Sequence, residues 1–264
     1  MAKGYVFITG ASEGLGREFA KLFAKEGHPL ILIARNQARL TEIGNELAAA
    51  HGVEVESFSR DLSISSAAEE IKAELDRQGL VVEILINNAG SGIHGLFHES
   101  SWKDTEAMLT LNMITTTHLT RLFLPAMIHN KRGRILNVAS TAAFQPGPLM
   151  ACYFASKAYV LSFTEALADE LTGTGVTATA FCPGPTQTQF QKRANTEDIL
   201  ENSFSMDAAT AVRLAYQDFL KGKTLIIPGF FNKLLAILVR FFPRNIVIRV
   251  TRYLEEKKPQ RAGH

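Results

Sequence analysis

The sequence is short of the residues that build covalent or metal scaffolds. It carries 2 cysteines in 264 residues, Cys152 and Cys182. Two sulfurs make no disulfide framework and cannot complete a zinc site, so both read as buried thiols, and a reducing cytoplasm is the expected setting. Cys152 adjoins Tyr153, where a modifying reagent would act by bulk. Histidines 94, 98, 118 and 129 show no ligand spacing, and no metal is expected. Met1-Ala-Lys-Gly runs straight into an apolar strand, leaving no room for a cleavable leader. No internal repeat, low-complexity tract or linker divides the chain.

Net charge is also small, at +2, but it is unevenly spread. Up to Leu220 there are 18 basic against 24 acidic residues, a net −6; from Lys221 onward there are 10 against 2, a net +8. An acidic body with a basic tail argues against nucleic-acid binding by the body. Hydrophobic residues make up 46 %, enough for one sizeable α/β core.

Taken in order, the chain alternates strand and helix. Tyr5-Val-Phe-Ile8 leads into Thr9-Gly10-Ala-Ser-Glu-Gly14-Leu-Gly16 and then a helical segment, Arg17 to Lys25. Glycines between a strand and a helix let backbone N–H groups approach a phosphate, at the helix end that favours negative charge. Pro29 to Ala34 is a buried parallel strand closed by Arg35. An acid near this point, about 20 residues past the glycines, suits the ribose hydroxyls of NAD; Arg35 instead suits a 2′-phosphate, so NADP(H) is expected. An exposed arginine at a strand end is the plainer alternative. A helix with Leu40, Ile43 and Leu47 inward follows, then a strand from about Val53 to Ser59. Asp61 either accepts a bond from an adenine amino group or caps a helix starting near Ser63 to Ser65.

A strand from Val82 to Ile86 ends in Asn87-Asn88-Ala89-Gly90, whose amides can tie neighbouring strand ends. Trp102 to about Ile128 reads as one long amphipathic helix, with Asn112 a polar residue among apolar ones. Arg134 to Ala139 is a fifth strand, with Ser140 at its C-terminal end. Helix 150–174 follows, then strand Val176 to Phe181 and the turn Cys182-Pro183-Gly184-Pro-Thr186. Polar residues from about Gln187 to Ser205 read as a lid or substrate loop. A helix around Asp207 to Leu220 and a short strand, Thr224 to Ile227, complete a doubly wound, Rossmann-like parallel sheet of about seven strands with helices on both faces.

Tyr153 and Lys157 are four residues apart, hence one turn apart on one helix face. A phenol has a pKa near 10, and an adjacent ammonium favours its ionised form. Bringing it to about 7 would take roughly 4 kcal/mol. The expectation is a phenol able to exchange a proton with a carbonyl or alcohol near neutral pH.

With Thr9-Gly10-x3-Gly14-x-Gly16, Asn87-Asn88-Ala89-Gly90, Asn112, Ser140, Tyr153-x3-Lys157 and Pro183-Gly184 in this order, the sequence resembles the short-chain dehydrogenase/reductase family, in its compact single-domain branch, over roughly residues 4 to 228. The resemblance implies that Tyr153 gives or takes the proton and that Lys157 lowers the Tyr153 pKa and bonds the nicotinamide ribose. It implies that Ser140 holds the substrate oxygen and that Asn112 holds a relay water. Gly10, Ser12, Gly14, Leu15 and Gly16 would line the pyrophosphate turn, Asp61 and Leu62 the adenine, Asn88, Ala89 and Gly90 the ribose, and Pro183, Gly184 and Thr186 the nicotinamide end. Homo-oligomers are common in the family.

The expected reading is therefore an NADP(H)-dependent oxidoreductase acting on a fairly apolar carbonyl or secondary alcohol. A regulatory protein that senses NADP(H) without turnover is the second reading. His94 and His98 either face the substrate or lie on ordinary loop surface. Residues 1–229 form the catalytic domain, and 230–264 an apolar, basic helical extension on or near the substrate mouth. Its segment Phe230 to Phe242 is 13 residues long, interrupted by Lys233 and Arg240, and too short to span a bilayer. It either covers the pocket or an oligomer contact, or binds an anionic membrane surface peripherally.

Overall fold

Leu30–Ala34, five apolar residues in a row, are buried on both faces, as the centre of a parallel sheet requires;. In the computed structural model, which describes residues 4–187 and 205–256, the strands are β1 (Tyr5–Thr9), β2 (Leu30–Ala34), β3 (Val55–Ser59), β4 (Val82–Asn87), β5 (Gly133–Val138), β6 (Val176–Phe181) and, beyond a two-residue ladder of β7 (Thr186–Gln187) with β8 (Met206–Asp207), β9 (Leu225–Ile226). The sheet has seven strands in the order β3-β2-β1-β4-β5-β6-β9, all parallel. The helices are α1 (Gly14–Lys25), α2 (Gln37–His51), α3 (Ala67–Arg77), α4 (Trp102–Leu109), α5 (Thr116–His129), α6 (Ala151–Glu170), α7 (Ala208–Leu220), α8 (Phe230–Leu238) and α9 (Arg244–Glu256).

Alternation along the strands sorts the core into two layers. Val6, Ile8, Leu30, Leu32, Ile84 and Ile86 face α1, α2 and α7, where Phe19, Phe23, Leu40 and Phe219 meet them. Phe7, Ile31, Ile33, Leu85 and Ile135 face α3, α5 and α6, against Ile71, Phe123 and Leu167. Strand order reverses between β1 and β4, which opens a crevice at the C-terminal strand ends;.

Three expectations shift. The long helix from Trp102 is interrupted: Thr110–Thr115 is a π-helical turn between α4 and α5, and Asn112 lies in it. A π-bulge admits an extra residue into the ladder, and apolar periodicity does not reveal it. Helix α3 begins at Ala67; Asp61 Oδ1 accepts instead from Ser63 N at 3.0 Å and Ser63 Oγ at 2.7 Å, closing a tight turn ahead of the helix. Ile114, an apolar residue of the segment expected to be one amphipathic helix, is 54 % exposed. Of the expected lid, Gln187 to Ser205, residues 188–204 lie outside the described residues.

Helix α1 packs so closely on β1 that a Cβ at Gly16 would lie 2.3 Å from the Gly10 carbonyl oxygen and 2.5 Å from Asn88 Nδ2. Backbone cannot yield there as a flexible side chain would, so Gly16→Ala is expected to destabilise the fold by about 1–3 kcal/mol, measured as a lower urea midpoint at unchanged slope.

Candidate active site

The crevice is a cavity of about 1900 Å³ along the C-terminal ends of the strands, large enough for a dinucleotide and a second molecule. Its walls bring together residues that the sequence separates by up to 245 positions, from Gly10 to Glu255.

At one end the backbone turns sharply after β1. Gly10 and Gly14 hold positive φ values of 65° and 53°, which glycine adopts without strain. Asn88 ties this turn to β4: its Nδ2 donates to Thr9 O at 2.8 Å and Gly10 O at 3.2 Å. Thr9 Oγ1 in turn accepts from Asn88 N and Ala89 N, each at 2.9 Å. Neighbouring Asn87 donates to Asn137 Oδ1 at 2.8 Å and Thr120 Oγ1 at 3.1 Å, so side-chain amides do join the strand ends. Gly10, Ser12, Gly14 and Leu15 line the cavity, as do Asn88, Ala89 and Gly90. Gly16 is set behind the wall, and its role in the structure is the close packing of α1.

Arg35 lines the far end with Asp61 and Leu62. Burial raises the Asp61 pKa, but bonds from Ser63 and the charge of Arg35 outweigh it and hold the carboxyl below its usual range. Arg39 and Arg60 line the same end, and sequence reading did not single them out. The available signal was proximity: Arg60 precedes Asp61, and Arg39 lies one turn beyond Arg35.

At the opposite end Ser140, Tyr153 and Lys157 share the wall with Pro183, Gly184 and Thr186. Ser140 Oγ accepts from Ala142 N at 3.1 Å and hydrogen-bonds the Tyr153 side chain. Lys157 is 5 % exposed, and its Nζ donates to Val138 O at 2.8 Å. Burial pulls its pKa down to about 8, against a smaller opposing effect from Cys182.

The Tyr153 phenol departs from expectation. Burial pushes it up to about 12; the Ser140 bond lowers it, and the Glu255 carboxylate raises it. Lys157 does not bring it toward neutrality, because its Nζ points at Val138 O and stands 5.8 Å from the centre of the Tyr153 ring. The pair does share a helix face, with the ammonium over the Tyr153 ring.

Asn112 is placed apart from the cavity surface. It is 2 % exposed, with Oδ1 accepting from Ser91 N at 3.0 Å. Its Nδ2 donates to Ser91 O at 2.9 Å and Ser156 Oγ at 3.0 Å. The side-chain amide is thus committed to holding the loop after β4 against α6, beside Lys157. His94 is buried, with Nε2 3.2 Å from Glu255 O; His98 is exposed beside Glu99. Burial pushes the Cys182 thiol up to about 12, and Cys152 is half-buried. Among the described residues no cluster of His, Cys, Asp or Glu could hold a metal ion.

The remaining wall is mainly apolar, with Ile93, Met108, Leu111, Met150, Phe154 and Leu254 beside the Tyr153 end. Leu254 and Glu255, which line the cavity, come from α9.

Comparison with known proteins agrees with this geometry. The very-long-chain 3-oxoacyl-CoA reductase of Pyrenophora tritici-repentis is 30 % identical over 267 residues, 98 % of this chain and 78 % of that protein. The chain spans only 51–62 % of the length of several other curated relatives. A solved short-chain dehydrogenase from Sphingobium yanoikuyae, in complex with NADPH, superposes with a TM-score of 0.82 at 29 % identity, covering 99 % of this chain and 98 % of that one. The bulky-bulky ketone specific alcohol dehydrogenase of Comamonas testosteroni gives 0.79 at 26 % identity, covering 100 % and 98 %. The family model described as short chain dehydrogenase matches residues 4–199. With that match over most of its length, the chain belongs to the short-chain dehydrogenase/reductase family.

Proposed function

We propose that the protein is an NADP(H)-dependent oxidoreductase that reduces the carbonyl group of an apolar ketone or acyl compound to a secondary alcohol. The observation that carries this reading is the Ser140–Tyr153 hydrogen-bonded pair facing the same cavity as the glycine turn, with Lys157 behind it. The NADPH-bound Sphingobium neighbour supports the cofactor. The reductase relative and the ketone-specific neighbour support the substrate class.

The residues fit a dinucleotide phosphate. The first turn of α1 opens on the cavity, Glu13 supplies no side-chain cap to it, and the adjoining glycines already hold the backbone that close phosphate approach needs. Gly10, Ser12, Gly14 and Leu15 would hold the pyrophosphate and Arg35, with Arg39 and Arg60, the 2′-phosphate. Asp61 and Leu62 would flank adenine, Asn88 to Gly90 and Lys157 the riboses, and Pro183, Gly184 and Thr186 the nicotinamide end. When bound, NADP(H) supplies the hydride.

Ser140 Oγ orients the substrate carbonyl oxygen and donates to it as negative charge develops. Tyr153 transfers its phenolic proton to that oxygen. Burial pushes that phenol up to about 12, so it carries its proton at neutral pH. Lys157 offsets the charge left on the phenolate. Asn112 acts as a positioning residue, fixing the Ser91 loop and α6.

Residues 1–229 form the catalytic unit and 230–264 an extension that completes the pocket through Leu254 and Glu255. No described helix is long and apolar enough to cross a membrane. A cytoplasmic setting, contact of the extension with a membrane surface, and assembly into a homo-oligomer belong to the same proposal; two unpaired cysteines and the family habit support the first and last.

Following NADPH absorbance over a panel of apolar ketones tests the reading. Tyr153→Phe should lower turnover by about 10²–10⁴-fold while NADPH binding persists. Tight NADPH binding with no turnover across the panel would favour a sensing role instead. Arg35→Asp should shift cofactor preference toward NADH by about tenfold or more, since it replaces attraction to the 2′-phosphate with repulsion. An unchanged preference ratio would remove Arg35 from cofactor selection.

Lys157 couples chemistry to stability. Its folded pKa of about 8 lies below the ordinary 10.5, so the unfolded chain holds this proton more tightly. The group's contribution therefore rises as pH climbs from about 8 to 10.5, and below that window burying the ammonium costs about 3 kcal/mol. Lys157→Met is expected to raise the urea midpoint at pH 7 while abolishing turnover, with the stability difference narrowing toward pH 10.5. A lower midpoint at pH 7 would show that the bond to Val138 outweighs the desolvation cost.

A further inference from the structure

Exposed large apolar side chains are concentrated in the last two helices. Phe230 is 75 % exposed, Phe231 61 %, Leu235 60 % and Phe241 79 %, and Val250 and Tyr253 continue the pattern along α9. Of the residues on α8 only Ala236 is buried. A surface of this kind is uncommon on a protein that meets only water. Basic residues are threaded through it: Lys233, Arg240, Arg244, Arg249 and Arg252. Among the described residues only Arg252 of these five has an ion-pair partner, Glu256 on its own helix.

We infer that α8 and α9 form a docking surface for an anionic lipid bilayer, and that the pocket takes a lipid-dissolved carbonyl substrate from that side. The inference rests on the reductase reading above and deepens it by naming where the substrate comes from. Charge decides between occupants. Between Phe230 and Glu256 there are 5 basic and 2 acidic residues, so a second copy of the same face would meet it with like charge, whereas anionic headgroups supply the opposite sign. Length decides the mode. Helix α8 has 9 residues and α9 has 13; neither can cross a bilayer, and aromatic side chains mixed with Lys and Arg belong at the headgroup boundary.

Position links the surface to the chemistry. The last turn of α9 places Leu254 and Glu255 in the pocket wall. His94 Nε2 lies 3.2 Å from the Glu255 carbonyl oxygen and 3.8 Å from its carboxylate, so this turn is fastened to the loop after β4. Gly184, at the same end of the pocket, abuts α8: a Cβ there would lie 2.5 Å from the Asn232 amide. Each helix thus reaches the pocket, α8 against Gly184 and α9 through Leu254 and Glu255, while its exposed apolar side chains remain for the lipid.

The test is co-sedimentation of the full-length protein with vesicles of phosphatidylcholine alone or mixed with phosphatidylglycerol, read without any turnover. The expected result is binding at least about tenfold tighter to the anionic vesicles, weakened by salt. Phe230→Ser/Phe231→Ser/Phe241→Ser should lose that binding. Lys233→Glu/Arg240→Glu/Arg244→Glu, which leaves the apolar residues intact, should lose it by at least about tenfold. Both variants should keep the parent's circular dichroism and its rate on a water-soluble ketone; if the first does not fold, the second carries the comparison. Equal binding to both lipids, or none to the anionic vesicles, overturns the inference. So does a concentration-dependent dimer in light scattering that either variant dissociates, because a second copy would then cover the face. Vesicle binding without ketone turnover would leave the docking surface standing and remove the reductase reading.

Discussion

A buried ammonium bonded to a strand-end carbonyl organises this site. Lys157 Nζ is held under the sheet edge by Val138 O, in a buried position. Keeping an amine in such a place is unfavourable unless nearby carbonyl groups and a ligand share its charge. The parallel sheet makes the place available, because its strands all end on one side and leave carbonyl oxygens pointing into the crevice. The same feature explains the amide clamps at Asn87 and Asn88. They satisfy strand-end groups that would otherwise be orphaned, and in doing so they fix the spacing between β1, β4 and β5;.

Much of the fold was legible because its signals are local. Leu30–Ala34 is apolar throughout and buried throughout, and the alternation of short apolar runs with helical segments gave a doubly wound sheet. The site was legible where residue type and spacing act together. The glycine turn and Asn88 depend on backbone approach, which few residues permit, and Tyr153 and Lys157 are one helical turn apart. What could not be read is what depends on distant partners. Nothing in the sequence around Tyr153 tells that Glu255, about a hundred residues later, raises its pKa, or that the Lys157 ammonium would bond to Val138 O. Arg39 and Arg60 were likewise obscured, since an arginine at a strand end or a first helical turn looks the same whether it meets a ligand or water. The Asn112 amide was noticed as polar among apolar residues, but its partners, Ser91 and Ser156, come from two other elements.

The pocket has two unequal halves. The end near Arg35 is charged, with Arg39, Arg60 and Asp61 beside it. The end near Tyr153 is lined by Met108, Leu111, Met150, Phe154 and Leu254. Low local polarity strengthens the Ser140–Tyr153 bond and raises the pKa of the phenol at the same time. One environment thus acts on both the Ser140–Tyr153 contact and the protonation of the phenol.

The π-helical turn at Thr110–Thr115 has a consequence for how this segment tolerates length change. A wider turn holds one residue more than an α-helix of the same rise, so removing any one of these six would let α4 and α5 fuse into a regular rod. The flanking faces would keep their phase, because the bulge takes up its extra residue within one turn, and Met108 would stay in the pocket wall. What would go is the local widening that carries the Asn112 amide to Ser91 and Ser156. A one-residue deletion here would thus spare the cavity's outline and release the loop after β4 from α6, whereas the same deletion in the regular turns of α4 would rotate everything upstream by about 100°.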